Sequence, residues 1–188
     1  MAPEIPTERL VLRPWRIDDA EDALRVYGSV DVARWLSPAM DHVNDVGAMR
    51  LVLQGWIAEA ERMRPPNGRW AIERRDDKRL VGGAVLLPLP PGGEDLEVGW
   101  QVDPEEWGKG YASEATHAIA HWAFTQEIDE IFAVVRPGNT RAAATVQRSG
   151  MEWVGETEKY FGLTLQVYRL RSADLDGPAD EVTPPPDE

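Results

Sequence analysis

The sequence predicts an α/β fold of the α+β kind, with one mixed sheet flanked by helices. Three observations lead there. Two or three helical segments follow a first strand, and then three short strands come in a row, separated only by turns. A single helix crosses from that three-strand meander to a further strand, which a doubly wound parallel sheet would not do. The chain has 188 residues, 43% of them hydrophobic, enough for one real core and suited to one domain with a tail.

The elements follow in order. "RLVLRPW" (Arg9 to Trp15) alternates like a strand. Asp18, with Glu21 three residues later, reads as a capping arrangement for a helix running to about Gly28. A second short helix is expected after Ser29. In "NDVGAMRLVLQGWIAEAERM" the apolar residues Val46, Met49, Leu53, Trp56, Ile57 and Ala60 recur with a helical period, and "PPNG" (Pro65 to Gly68) ends it. The meander is Arg69 to Arg75, Arg79 to Leu89 and Asp95 to Val102, turning at "RDDK" and "PPGGE". A helix from about Lys109 to Gln126 leads to the strand "IFAVV" (Ile131 to Val135). "RPGNT" opens a short helix over Thr140 to Arg148, and Gly150 stands where a helix C′ glycine belongs. "MEWVGETEKY" and "LTLQVYRL" read as a closing antiparallel pair turning near Gly162.

Composition removes several function classes. There is no cysteine, so disulfides, thiolate zinc sites and cysteine nucleophiles are out. The formal net charge of −13 argues against a nucleic-acid partner, whose phosphates need a basic face. The first residues lack the pattern of a signal peptide, and no apolar run approaches a membrane span, so a soluble cytoplasmic protein is expected. Residues 172–188 carry six acids, no base and a "TPPP" run, which reads as an acidic, Pro-rich disordered tail behind a domain spanning 1–171. His117 and His121 lie i,i+4 on one helix, but position 118 is alanine. A solvated helix face is the reading, and no metal is expected.

The stretch richest in chemistry is "EEWGKGYASEA" (Glu105 to Ala115). It sets Gly108 and Gly110 around a lysine and turns at once into helix-forming sequence. Backbone N–H groups at a helix start favour a phosphate. The P-loop pattern is absent. A dinucleotide fingerprint fits poorly, since Ser113 replaces its third glycine and Asp129 and Glu130 precede the next strand instead of ending it.

With its surroundings the loop points elsewhere. "TERLVLRPW", "LEVGWQVDPEEWGKGYASEA" and "RPGNTRAAATVQRSGMEWVG", in that order, resemble the GNAT superfamily of acyl-CoA-dependent N-acetyltransferases over about Thr7 to Arg171. The closest likeness is to the subfamily of ribosomal-protein N-terminal (alanine) acetyltransferases. The resemblance implies a mostly antiparallel, seven-stranded sheet splayed between its fourth and fifth strands. It also implies acetyl-CoA as co-substrate and transfer to a primary amine by direct attack in a ternary complex. Homodimerisation is plausible from the resemblance alone.

The resemblance likewise implies the site. The cofactor would meet Trp107, Gly108, Lys109, Gly110, Tyr111, Ala112 and Ser113, with Asn139 and Ala142 on the later helix. N–H groups near Gln101 and Val102 would face the thioester carbonyl. Lys109, Arg136, Arg141 and Arg148 would add local positive charge. Glu97, which shares a strand face with Gly99 and Gln101, is the candidate base, acting through a water. Four departures stand out. Glu105 replaces the usual Gln or Arg before the loop and is expected to point outward, and Glu106 stands beside Trp107 where an aromatic pair is common. Val146 replaces a tyrosine that serves as acid in many relatives, and Ala142 replaces a serine. Tyr160, Tyr168, a water or the substrate ammonium is left for that task. Peptide N-termini, polyamines, antibiotics and small amino acids all stand as acceptors. The rival reading is a non-catalytic acyl-CoA-binding module.

Overall fold

Alternation and capping resolve into helices and strands much as the sequence indicates. The computed structural model describes residues 2–37, 39–89 and 93–175. Its strands are β1 (Ile5–Pro6), β2 (Leu10–Arg13), β3 (Gly68–Arg74), β4 (Leu80–Pro88), β5 (Leu96–Val102), β6 (Glu130–Val135), β7 (Glu152–Thr157) and β8 (Leu165–Arg171). Its helices are α1 (Ala20–Tyr27), α2 (Val30–Leu36), α3 (Val46–Arg62), α4 (Tyr111–Phe124) and α5 (Thr140–Arg148).

The eight strands form one sheet in the order β1-β2-β3-β4-β5-β6-β8-β7. Every neighbouring pair is antiparallel except β5 with β6, which run parallel and meet at a single position, Glu97 opposite Phe132. This is the splay the resemblance implied. The strand beyond the expected seven is the two-residue β1 at the edge, too short to carry a period-two signal.

Each face of the sheet buries its own core. Trp70, Ile72, Leu86 and Val98 pack beneath Ala115, Ile119 and Ala123 of α4, with Val146 of α5 in the same cluster. On the other face Trp15, Tyr27, Met49, Leu53 and Ala71 form the core of α1 to α3. The sequence period of α3 is thereby explained: Met49 and Leu53 are fully buried, and Asp45 caps the helix by accepting from Ala48 N at 2.8 Å.

One expectation changes at α1. Asp18 and Asp19 lie in a 3-10 turn ahead of the helix, and Asp19 is the acid that accepts from the chain, taking Arg16 N at 2.8 Å. Asp19 is buried because Arg13 holds it, donating at 2.8 and 2.9 Å to its two oxygens and at 2.7 Å to Glu73. Burial pulls the Arg13 guanidinium down, but its bonds to Asp19 and Glu73 outweigh that and hold it above its usual range. At the other end, Ser172–Asp174 form a 3-10 turn and Leu175 packs against the α4-side core. The expected tail from residue 176 onward lies outside the described residues.

Candidate active site

The glycine loop is built to point its amides outward. Gly108 and Gly110 take φ values of +79° and +83°, which side chains with a Cβ rarely adopt. A Cβ at Gly108 would meet nothing within 4 Å, so the loop borders open space. Among the described residues the N–H groups of Gly108, Lys109 and Gly110 find no acceptor, and Tyr111, Ala112 and Ser113 begin α4. A run of free donors and the positive end of a helix dipole therefore coincide.

Residues not singled out from the sequence hold this loop. Arg9 donates to the carbonyl of Lys109 at 2.8 Å and to Glu114 at 2.7 Å, and its guanidinium lies 4.7 Å from the Tyr111 ring centroid. Thr7 Oγ1 donates to Glu114 at 2.6 Å. Burial raises the Glu114 carboxyl, but the bonds from Thr7 and Arg9 prevail and hold it below its usual range. The signal was present in "TERLVLRPW", but nothing in that stretch shows that it meets a helix a hundred residues on.

The acids before the loop are each held by cations. Glu105 is exposed and pairs with Arg79 at 3.0 Å. Glu106 is buried and gathers Lys109, Arg74 and Arg79, with Lys109 Nζ at 2.7 Å and lowering its carboxyl most. The Lys109 ammonium is thus set against Glu106, and its charge is not directed at the loop's open side. Trp107 donates Nε1 to the Val102 carbonyl at 2.9 Å, and Arg141 stacks on its ring at 3.3 Å from the centroid.

Beside the loop a cavity of about 410 Å³ runs along the parted strands. It is lined from both faces of β5: Glu97, Gly99 and Gln101 from one, and Val98, Trp100 and Val102 from the other. Ala112, Asn139, Ala142 and Thr145 border it on the α4 and α5 side, and Trp35 and Asp31 of α2 on the opposite side. The space passes through the sheet where β5 and β6 part.

Strand geometry relocates one predicted donor. Asp103 N donates to Val81 and Asp95 O accepts from Leu89, so odd-numbered residues of β5 turn their main-chain groups to β4. Gln101 therefore bonds along β4 and does not offer its N–H to the gap. Its side chain lines the cavity and accepts from Tyr27 OH at 3.0 Å. Val102 keeps its expected orientation, and Trp100 is the second residue whose N–H faces the gap.

Glu97 sits at the one point where three strands meet, opposite Leu87 on β4 and Phe132 on β6. Among the described residues its carboxyl has no hydrogen-bond partner. Burial alone pushes its pKa from the ordinary 4.5 up to about 7. The other charged residues lining the cavity, among those described, are Arg136, Arg141 and Asp31. Arg136, at the end of β6, donates to the carbonyls of Arg34 and Ser37 at 2.9 and 3.2 Å, and Asp31 lies at the rim.

The later helix supplies Asn139, whose Oδ1 caps α5 by accepting from Ala142 N at 3.2 Å. Its amide nitrogen has no described partner and the residue borders the cavity. Val146 is fully buried, so the position that carries a tyrosine in relatives belongs to the core here. Of the two tyrosines left open, Tyr160 lines the cavity, while Tyr168 is buried on β8 with its hydroxyl raised by that burial. Arg148 closes α5 and does not line the cavity. His117 and His121 are exposed on α4, and no group of three metal-ligating side chains occurs among the described residues.

Comparison with known proteins agrees with this geometry. Residues 9–152 match the acetyltransferase (GNAT) domain family, and the chain belongs to it. An uncharacterised N-acetyltransferase of Bacillus subtilis, YoaA, is 27% identical over 161 residues, covering 85% of this chain and 89% of that protein. The fold is shared with Mycobacterium smegmatis RimJ, solved in complex with CoA-disulfide (TM-score 0.76, 23% identity, 95% of this chain and 90% of that one). It is shared too with the ribosomal-protein-S5-alanine acetyltransferase of Vibrio fischeri (TM-score 0.72, 18% identity, 94% and 100%).

Proposed function

We propose that this protein transfers an acetyl group from acetyl-CoA to a primary amine by direct attack in a ternary complex. The observation that carries the reading is the cavity through the parted sheet. It has free helix-start amides on one side and a desolvated carboxyl, Glu97, within it.

The residues present suit the donor. The amides from Gly108 to Ala112 would receive the pyrophosphate at the N-terminus of α4. The edge of β5 from Trp100 to Val102, which no strand pairs and whose Val102 carbonyl is held by Trp107, would receive the pantetheine arm as an added strand. The free amide nitrogen of Asn139 would donate to the same arm. Arg141, stacked on Trp107, adds positive charge beside it.

The chemistry follows from the balance of one bond made and one broken. Glu97, as carboxylate, takes a proton from the acceptor ammonium. The amine lone pair then forms the N–C bond to the thioester carbonyl. The N–H of Val102 donates to the oxyanion, an arrangement worth about 3 kcal/mol in comparable sites. The C–S bond breaks, and the thiolate takes a proton from Tyr160 or from the ammonium of the tetrahedral adduct. The products are the amide, free thiol and one released proton.

The rival, a module that binds the coenzyme without turnover, draws on the missing tyrosine and serine at Val146 and Ala142. Thiol release from acetyl-CoA in the presence of a panel of primary amines separates the two. Turnover with at least one amine is expected. Tight acetyl-CoA binding with no thiol released by any amine would establish the rival.

A further inference from the structure

The acceptor side of the cavity has a definite character. Its described wall is Trp35 and Leu36 of α2, Leu87 of β4, and Phe161 and Leu163 between β7 and β8. Phe161 is half exposed and held at φ +55°, an uncommon conformation for an aromatic residue, at the lip of the cavity. Arg136 fixes the C-terminal end of α2 through the carbonyls of Arg34 and Ser37, which sets Trp35 against the space. Glu97 is the acid on this side, since Asp31 is exposed and lies beside Trp107, Asn139 and Arg141; the Arg136 guanidinium is engaged by the two carbonyls, and Gln101 is already engaged with Tyr27.

Resting on the acetyl-transfer reading, we infer that the acceptor is a monoamine carried on a compact apolar body, an arylalkyl or branched alkyl amine. The Glu97 carboxyl draws in one ammonium. Among the described residues the wall beyond it is mostly apolar, with Ser37 and Tyr160 as its polar side chains. A polyamine or an aminosugar would bring further charged or polar groups against Trp35, Leu87 and Leu163 with nothing to replace their water. A peptide N-terminus would bring its first amide N–H and C=O to the same wall. Volume points the same way, because the donor's arm and the acceptor share about 410 Å³.

The test is thiol release from acetyl-CoA with 2-phenylethylamine, spermidine and a short peptide beginning with alanine. The expected kcat/KM for 2-phenylethylamine exceeds both others by about tenfold or more. Phe161→Ala is expected to raise KM for 2-phenylethylamine about tenfold while leaving KM for acetyl-CoA unchanged. Equal or better turnover of spermidine or the peptide overturns the acceptor inference and leaves acetyl transfer standing. Indifference to the amine, together with faster transfer from butanoyl-CoA, assigns the apolar wall to the acyl group and overturns it as well. Binding of acetyl-CoA with no turnover of any amine removes the parent reading itself.

Discussion

Glu97 acquires its chemistry from neighbours that its own stretch of sequence does not contain. Alternation in "DLEVGWQV" places it on a strand face with Gly99 and Gln101, and the structure keeps it there. Its raised pKa comes from burial, and its register partners Leu87 and Phe132 lie ten residues before and thirty-five after, so that burial exists only when the sheet forms. The sequence therefore showed which strand face Glu97 occupies but not the tuning of its carboxyl. Two consequences follow for Glu97→Gln. Below pH 7 the wild-type carboxyl is protonated, so the two rates should converge. Above pH 7 the variant should fall behind by roughly 100-fold, read from the pH dependence of kcat/KM. A wild-type-to-variant ratio that is flat with pH would remove Glu97 from the mechanism. For stability, the folded carboxyl binds its proton more tightly than the unfolded one, so stability declines as pH rises from about 4.5 to about 7. The glutamine variant lacks that decline. It should match the wild type below pH 4.5 and exceed it at pH 8, by up to about 3 kcal/mol in denaturant melts.

At the scale of elements, two helix starts stand at the cavity, where the proposal puts the acetyl donor. The glycine spacing before α4 and the asparagine before α5 were both legible, because each is a local backbone requirement with a short sequence signature. The part played by Arg9 and Thr7 was not, since their target on Glu114 and Lys109 depends on the edge of the sheet reaching α4. The direction of the Gln101 amide was also out of reach, because it depends on which strand pairs with which edge of β5. Asn139 caps α5 and is proposed to donate to the coenzyme, and substitution can part the two. Asn139→Ala loses the cap and should cost about 1 kcal/mol of stability. Asn139→Asp keeps the capping oxygen and loses the donor. It should hold the wild-type melting temperature while weakening acetyl-CoA binding about fivefold, by calorimetry. Wild-type affinity in both variants would reduce Asn139 to a cap.

Over the whole molecule, one sheet with a core on each face holds the two halves of the site in register. The order of elements was readable from the chain, while the partnering that joins β2 to β3 across α1, α2 and α3 was not. That junction is fixed by Arg13 with Asp19 and Glu73, three buried charges from β2, the turn before α1, and β3. Arg13→Leu would leave two buried carboxyls without their cation. It should cost roughly 3–5 kcal/mol, seen as a melting temperature lower by about 10 °C. A variant that melts like the wild type would show that the network is not what secures the junction.

The account rests on main-chain amides at the start of α4 taking the donor's diphosphate beside the parted strands, and calorimetric titration with acetyl-CoA tests it most directly. The wild type should bind with measurable heat. Gly108→Val combined with Gly110→Val should bind roughly 100-fold more weakly, because valine resists both the positive φ and the close approach. Equal affinity in the two proteins would contradict the account.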